Sequence, residues 1–302
     1  MQTITVKSPL RICLAGGASD IPEYWRRAGG FLVSVAIDQY LTVTIQPGNR
    51  IDAAPQLRYA TAAGWGRHDL VEIDSMVQSG SGLGGSGSLM VALLRARHPD
   101  LQASELAAAA YNLERFSLSQ PTGIQDAYIA AYGGCLAMEI DTYGRVATWP
   151  VTLPADFESR LLLMATGIQR PAADVLRKQA AATCTSLVSR EAMERIAGLG
   201  HEIYHDLRDN AGRRFGELTD LHWQYKRATT SAISNPAIDA WYDLAREHGA
   251  EGGKIAGAGS GGYFLFVVPP SARYHLVDTM TAAGLTELPF QFTDQGARII
   301  QS

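Results

Sequence analysis

The chain has 302 residues, 46% hydrophobic and 19% charged, with a net charge of −4; this allows one large domain or two moderate ones with an ample core. The charge argues against a non-specific nucleic-acid binder, whose domain would be strongly basic. Three cysteines, Cys13, Cys135 and Cys184, are widely spaced and odd in number, so neither a disulfide framework nor a cysteine zinc site is expected, and a reducing cytoplasm is the expected compartment.

The opening MQTITVKSPLRICLAGG has no long apolar run after its first charge and does not read as a signal peptide. No stretch approaches the ~20 apolar residues that span a bilayer. TITVKS and LRICLAG predict two strands. FLVSVAID and LTVTIQP, rich in β-branched residues and separated by QY, predict a strand pair. Residues 48–78 are polar and irregular and predict short strands and loops, compressed over 67–78. Helices begin at Ser86: GSLMVALLRAR carries Leu89, Val91, Leu93 and Leu94, and SELAAAAYNLERF sets Leu106, Leu113 and Phe116 near one face. PTGIQDAYIAAYGG predicts a helix entered by Pro121 and stopped by Gly133 and Gly134. CLAMEID, RVATWPV and SRLLLMATG read as strands. Helices are expected over about 171–185, 187–209, 211–232 and 236–248, then a strand in GYFLFVVP, a helix in SARYHLVDTMTAAG and short strands in PFQFT and ARII. Composition turns from strand-rich to helix-rich near 150–157, which predicts an N-terminal lobe over 1–155 and a C-terminal lobe over 156–302.

The stretch SGSGLGGSGS, residues 79–88, runs straight into a predicted helix. As a loop before a helix it has a physical use. Glycines let backbone approach a ligand closely, and the helix N-terminus offers unpaired N–H groups and partial positive charge. It has no GK[ST], so it is not a Walker A loop. Gly80, Gly82 and Gly85 satisfy GxGxxG, but no clean parallel strand leads in and no βαβ unit with an acidic residue follows. A plain surface linker would have the same composition.

HEIYH, residues 201–205, matches H-E-x-x-H. A third zinc ligand is required. The metzincin extension would need glycine at Arg208 and histidine at Ala211, and no glutamate lies between Glu217 and Glu247. An amphipathic helix with exposed histidines is the expectation.

Several further segments keep a particular order: PLRICLAGGASD (9–20), GSGLGGSGS (80–88), QDAYIAAYGG (125–134), TGIQR (166–170), WQYK (223–226) and GAGSGG (257–262). Together, from about residue 6 to 268, they resemble the GHMP kinases, the superfamily of galactokinase, homoserine kinase, mevalonate kinase and phosphomevalonate kinase. The resemblance is closest to those sugar kinases that phosphorylate D-glycero-D-manno-heptose 7-phosphate at its anomeric oxygen. It implies a two-lobed α+β fold, with an N-terminal lobe like domain 2 of ribosomal protein S5 and a ferredoxin-like, helical C-terminal lobe. The active site would lie in the cleft. It also implies ATP and Mg²⁺ as cofactors, a sugar or sugar-phosphate substrate, a heptose 1,7-bisphosphate product for surface polysaccharide, and a cytoplasmic protein without nucleic-acid or membrane partners; it leaves room for a homodimer. Another superfamily kinase acting on a different sugar or alcohol, or an inactive nucleotide- or sugar-binding regulator, are the alternatives.

By the same resemblance, Gly80, Gly82, Leu83, Gly84, Gly85, Ser86, Gly87 and Ser88 form the nucleotide phosphate loop. Ser86 and Glu114 match the magnesium ligands; a serine and one carboxylate suffice for an ion that keeps several waters. Asp126 matches the catalytic aspartate that takes or orients the acceptor hydroxyl, and Arg11 the cation that keeps it ionised. Asp20, with Gly17, matches the sugar-binding segment, a carboxylate being suited to vicinal hydroxyls. Arg170 and Lys226 are candidates for a distal phosphate. Gly257, Gly259, Gly261 and Gly262 would close the site from the second half.

Overall fold

The computed structural model describes residues 2–48, 57–66, 68–77, 80–169 and 171–301. Two long antiparallel strands, β1 (Ile4–Ala15) and β2 (Gly30–Gln46), organise the first half, connected by the short helix α1 (Pro22–Ala28). Each of these strands is continuous where the sequence predicts a pair. Pro9 has no N–H to give to a ladder, and the pairing register shifts between Pro9 and Leu10 instead of ending. The irregularity has a consequence for side-chain direction. Val6 and Val43 face one core, whereas Leu10, Ile12, Val35 and Ile37 face another. Arg11, paired with Ala36 of the first core, is therefore turned toward the side that the helices cover.

Residues 48–78 differ from expectation, as far as they are described. They contain a short helix, α2 (Leu57–Ala62), and a strand, β3 (Leu70–Ser75), that pairs with the second half of β2. Tyr59 and Ala60 give α2 its buried side, a tertiary contact that six residues of pattern do not announce. Helices α3 (Gly85–Arg97), α4 (Ala103–Asn112) and α5 (Gln125–Tyr132) follow, then β4 (Cys135–Ile140) and β5 (Val146–Pro150). α5 begins four residues after Pro121, because Asp20 from another part of the chain accepts the Gln125 N–H at 3.2 Å and sets the helix start. α3 is buried from Gly87 to Leu94, apolar nearly all round, as a helix sealed between a sheet and other helices must be.

The second half contributes β6 (Leu161–Ala165), α6 (Ala172–Thr185), α7 (Leu187–Asp209), α8 (Phe215–Thr229), α9 (Pro236–Glu247), β7 (Gly252–Ile255), β8 (Tyr263–Val267), α10 (Pro270–Ala282), β9 (Thr286–Glu287) and β10 (Arg298–Gln301). β7 lies in a glycine-bearing segment with no strand pattern. PFQFT forms no strand; Phe292 makes a single bridge to Ile37. One sheet has the order β10-β1-β2-β4-β5 with β3 also on β2, and the other β7-β8-β6-β9. The final strand thus returns to β1 in the first sheet. Leu10, Ile12 and Val33 of the first sheet share a core with Leu199 and Ile203 of α7, Leu218 of α8 and Leu163 and Leu265 of the second. A shared core of this kind holds the two halves against each other and fixes the cleft between them. The result is a mixed helix-and-sheet fold of two parts joined by one core.

Candidate active site

Arg11 leaves β1 into the cleft with only 4% of its surface exposed. Its Nε donates to Asp126 Oδ1 at 2.7 Å, its Nη2 lies 2.6 Å from the same oxygen, and its Nη1 donates to the Gly82 carbonyl at 2.6 Å. Burial works against the guanidinium charge, but Asp126, with smaller contributions from Cys13 and Asp20, raises the Arg11 pKa. One arginine so ties the first strand, the first turn of α5 and the glycine loop.

That loop is held by backbone approach. Gly82 has φ of +84°, and a Cβ there would sit 2.3 Å from the Ala256 carbonyl; one on Gly257 would sit 2.5 Å from Gly82 Cα. The glycines of the two segments therefore interlock, and no other residue permits it. Gly84, left-handed at φ +83°, caps α3 without a side-chain partner for the first-turn N–H groups. Those groups, unlike the rest of the helix backbone, face outward for an acceptor. A Cβ on Gly85 would meet nothing within 4 Å, so the loop's open side begins there.

Glu114 comes from a π-helical turn, Leu113–Ser117, that follows α4. Such a turn re-aims one side chain out of helical register. Glu114 is 2% exposed, accepts from Tyr59 Oη at 3.2 Å and is hydrogen-bonded by Ser86. Burial, then the nearby Asp126 charge, push its pKa up to about 7, against the lowering effect of the Ser86 and Tyr59 bonds. A buried carboxylate beside a second one and a hydroxyl suits a divalent cation, which would relieve this electrostatic cost. Ser86 and Glu114 thus fit the pair of side chains a magnesium ion needs.

Asp20 is 1% exposed; burial raises its pKa although the Gln125 backbone bond opposes it, and Asp126 adds to the rise. Gln125 Nε2 also donates to Asp20 Oδ2 at 3.2 Å while its Oε1 accepts from Ser34 at 2.9 Å. A Cβ on Gly123 would sit 2.1 Å from Asp20 Oδ2, so a glycine is required there as well. Lys226 donates to the carbonyls of Gly257 and Ile255 and so braces the last glycine segment. Lys254, 3% exposed, crosses the cleft to donate to the Leu14 carbonyl at 3.0 Å.

A cavity of about 1140 Å³ gathers Arg11, Gly17, Asp20, Gly80, Gly82, Gly84, Gly85, Ser86, Glu114, Asp126, Lys226 and Gly257. Other expected residues lie off it. Leu83 is core; Gly87 packs on Asp126, where a Cβ would fall 2.6 Å from its Cβ; the Ser88 hydroxyl turns away to the Ser8 carbonyl at 3.3 Å. Gly259 and Gly261 pack on Ile233 and Ile168. Arg170 lies outside the described residues. Gln125, Tyr59, Lys254 and His222 also line the cavity, outside the residues expected from the sequence. A lysine inside the apolar GGKIAGAG, and a histidine four residues before Lys226 on one helix face, were the available signals.

The HEIYH residues sit on α7, away from this cavity: His201 stacks on Phe31 with ring centroids 3.9 Å apart, and exposed His205 pairs with Asp209 at 3.6 Å. Among the described residues no cluster of three His, Cys, Asp or Glu could hold a metal, and no helix is long and apolar enough to cross a membrane.

Comparison with known proteins identifies the family. The family model for the N-terminal domain of GHMP kinases matches residues 53–134, and that for the C-terminal domain matches 203–284, together more than half of the chain. A D-glycero-alpha-D-manno-heptose 7-phosphate kinase from Campylobacter jejuni is 28% identical over 339 aligned residues, covering 99% of each protein. Among solved structures, a D-glycero-D-manno-heptose 1-phosphate kinase from Bacteroides thetaiotaomicron superposes with a TM-score of 0.78 at 24% identity, covering 97% of each chain. Phosphomevalonate kinase from Streptococcus pneumoniae, in complex with phosphomevalonate and AMPPNP, also superposes with a TM-score of 0.78, at 12% identity over 96% of this chain and 100% of that one.

Proposed function

Because the chain belongs to the GHMP kinases, we propose that it transfers the γ-phosphoryl group of ATP to the anomeric hydroxyl of a sugar phosphate, D-glycero-D-manno-heptose 7-phosphate, giving the 1,7-bisphosphate. The observation that carries this reading is the largely buried Arg11–Asp126 pair, whose arginine is also bonded to the carbonyl of Gly82 in the loop at the start of α3. The choice of heptose rests on the 28% identical relative and on the GGASD segment ending at Asp20.

In the proposed reaction the acceptor oxygen attacks the γ-phosphorus, the bond from that phosphorus to the β,γ-bridging oxygen breaks, and the hydroxyl proton passes to an Asp126 carboxylate oxygen. Arg11 holds that carboxylate in one orientation through two nitrogens on Oδ1. The outward N–H groups of Gly85 and Ser86 bind phosphate oxygens, and the interlock of Gly82 with Gly257 keeps the loop from opening. Ser86 and Glu114 would hold Mg²⁺, which supplies neutralisation of the triphosphate charge. Asp20 would accept from sugar hydroxyls, its own position fixed by Gln125 and Gly123.

The test is ADP release from ATP across a panel of heptoses, hexoses, their phosphates and small alcohols. Release that depends on a heptose phosphate upholds the reading, and release with alcohols alone, or with no acceptor in the panel, rejects it.

A further inference from the structure

The second-half wall of the same cavity carries polar groups that the chemistry above does not use. His222, 1% exposed on α8, has both ring nitrogens buried without a hydrogen-bond partner. Gln179 of α6, fully buried, donates through Nε2 to Thr229 Oγ1 at 3.4 Å, but its Oε1 has no partner. Both line the cavity, as does Lys254. The Lys254 ammonium has a neutral carbonyl as its hydrogen-bond acceptor, and Lys226 adds a second positive charge next to His222. α8 and β7 are packed closely enough that a Cβ on Gly252 would strike the Gly216 carbonyl at 2.1 Å, so this arrangement has little freedom to rearrange.

We propose that His222, Lys254 and Gln179 form the subsite that recognises the phosphate monoester of the acceptor, Lys254 and His222 donating to phosphate oxygens and Gln179 Oε1 accepting from an adjacent sugar hydroxyl. Buried polar atoms without partners are costly and uncommon in a folded protein. Three such atoms on one cavity wall, beside an ammonium group, mark a place whose partners arrive with a ligand. A neutral hydroxyl would satisfy the ring but would leave the ammonium charge uncompensated; a phosphate monoester supplies charge and several acceptor oxygens at once. Burial and the two lysine charges hold His222 well below the usual imidazole range, so its ring is neutral and has one N–H to give. The wall belongs to the second half, opposite Arg11 and Asp126 on the first, so a bound sugar would span the cleft between its reacting end and its charged end. The assignment rests on the sugar-phosphate kinase reading.

Two measurements test it. Steady-state kinetics compare heptose 7-phosphate with the same heptose lacking the phosphate. His222→Gln and Lys254→Met are each expected to lower the ratio of the two kcat/KM values at least tenfold, through KM for the phosphorylated sugar, with KM for ATP as the control. A ratio within twofold of wild type in both variants overturns the subsite. Independently, the imidazole resonance of His222 is followed in the wild-type protein as inorganic phosphate is added. A saturable shift that Lys254→Met abolishes supports the subsite, and an unmoved resonance overturns it. This second measurement needs no substituted histidine and no turnover, so the subsite stands or falls even if the acceptor panel rejects the kinase reading.

Discussion

Arg11 and Asp126, 115 positions apart in the chain, meet through two nitrogens of one guanidinium, both on the same carboxylate oxygen Oδ1. The pair is closed from above by Gly84, where a Cβ would fall 3.0 Å from Arg11 Cγ and 3.4 Å from Asp126 Cγ.

Replacing Asp126 with asparagine keeps the shape and removes the base. We expect kcat to fall by about 10²–10⁴, the usual contribution of a positioned general base. The dissociation constant for a non-hydrolysable ATP analogue should change less than threefold. Rapid-quench kinetics and calorimetry measure the two; a kcat within threefold of wild type removes Asp126 from the chemistry.

Arg11→Met strands the Asp126 carboxylate beside Glu114 and Asp20. Breaking a largely buried pair in this way is expected to cost about 3 kcal/mol of folding stability. Arg11→Met combined with Asp126→Asn should regain most of that loss yet remain inactive. Urea unfolding of the two variants separates the effects: equal instability in the single and the double variant would contradict the ion-pair account.

The loop glycines should divide by what surrounds them. Gly82→Ala drives a Cβ into the Ala256 carbonyl at 2.3 Å at a φ of +84°, and should weaken ATP-analogue binding more than tenfold. Gly85→Ser keeps the backbone N–H and its Cβ meets no protein atom, so it should weaken binding less than Gly82→Ala does. Equal effects at the two positions would rule out the interlock.

Glu114 ties stability and cation binding to pH. Its folded pKa, about 7, is raised above the ordinary value of 4.5, so the folded chain holds a proton that the unfolded chain has released between those values. Its contribution is therefore favourable at low pH and is lost as pH rises from about 4.5 to about 7, a loss of up to about 3 kcal/mol in the metal-free protein. Glu114→Gln should flatten that part of the stability profile. Mg²⁺ competes with the same proton, so its apparent affinity should climb up to about tenfold per pH unit below 7 and level off above. Thermal melts with and without chelator across pH 5–8, compared with Glu114→Gln, read both effects; a pH-independent affinity would dissociate Glu114 from the cation.

Most of the residues that the motif order singled out line the cavity, because glycine loops, a helix start and charged residues at segment ends are local patterns. Strand continuity was less legible. β1 reads as two strands because Pro9 interrupts the pattern, and only its pairing with β2 carries the ladder through. Leu83, Gly87 and Ser88 belong to the loop by sequence but face core, Asp126 and β1 in space, since in one helical turn only one side faces a ligand. His222 and Gln179 stayed hidden for the opposite reason: on amphipathic helices they resemble ordinary polar positions until burial is known.

From the chain alone came the helix that follows the glycine loop, set by periodicity and turn chemistry within a few neighbours, while the class of fold and the short list of charged residues came from the resemblance of the ordered motifs to the GHMP kinases. Tertiary structure alone decided that Arg11 turns toward Asp126, that one π-helical turn buries Glu114 next to Ser86, and that Lys254 crosses to Leu14. Those outcomes depend on register shifts, close backbone approach and desolvation, which exist only once distant segments have packed together.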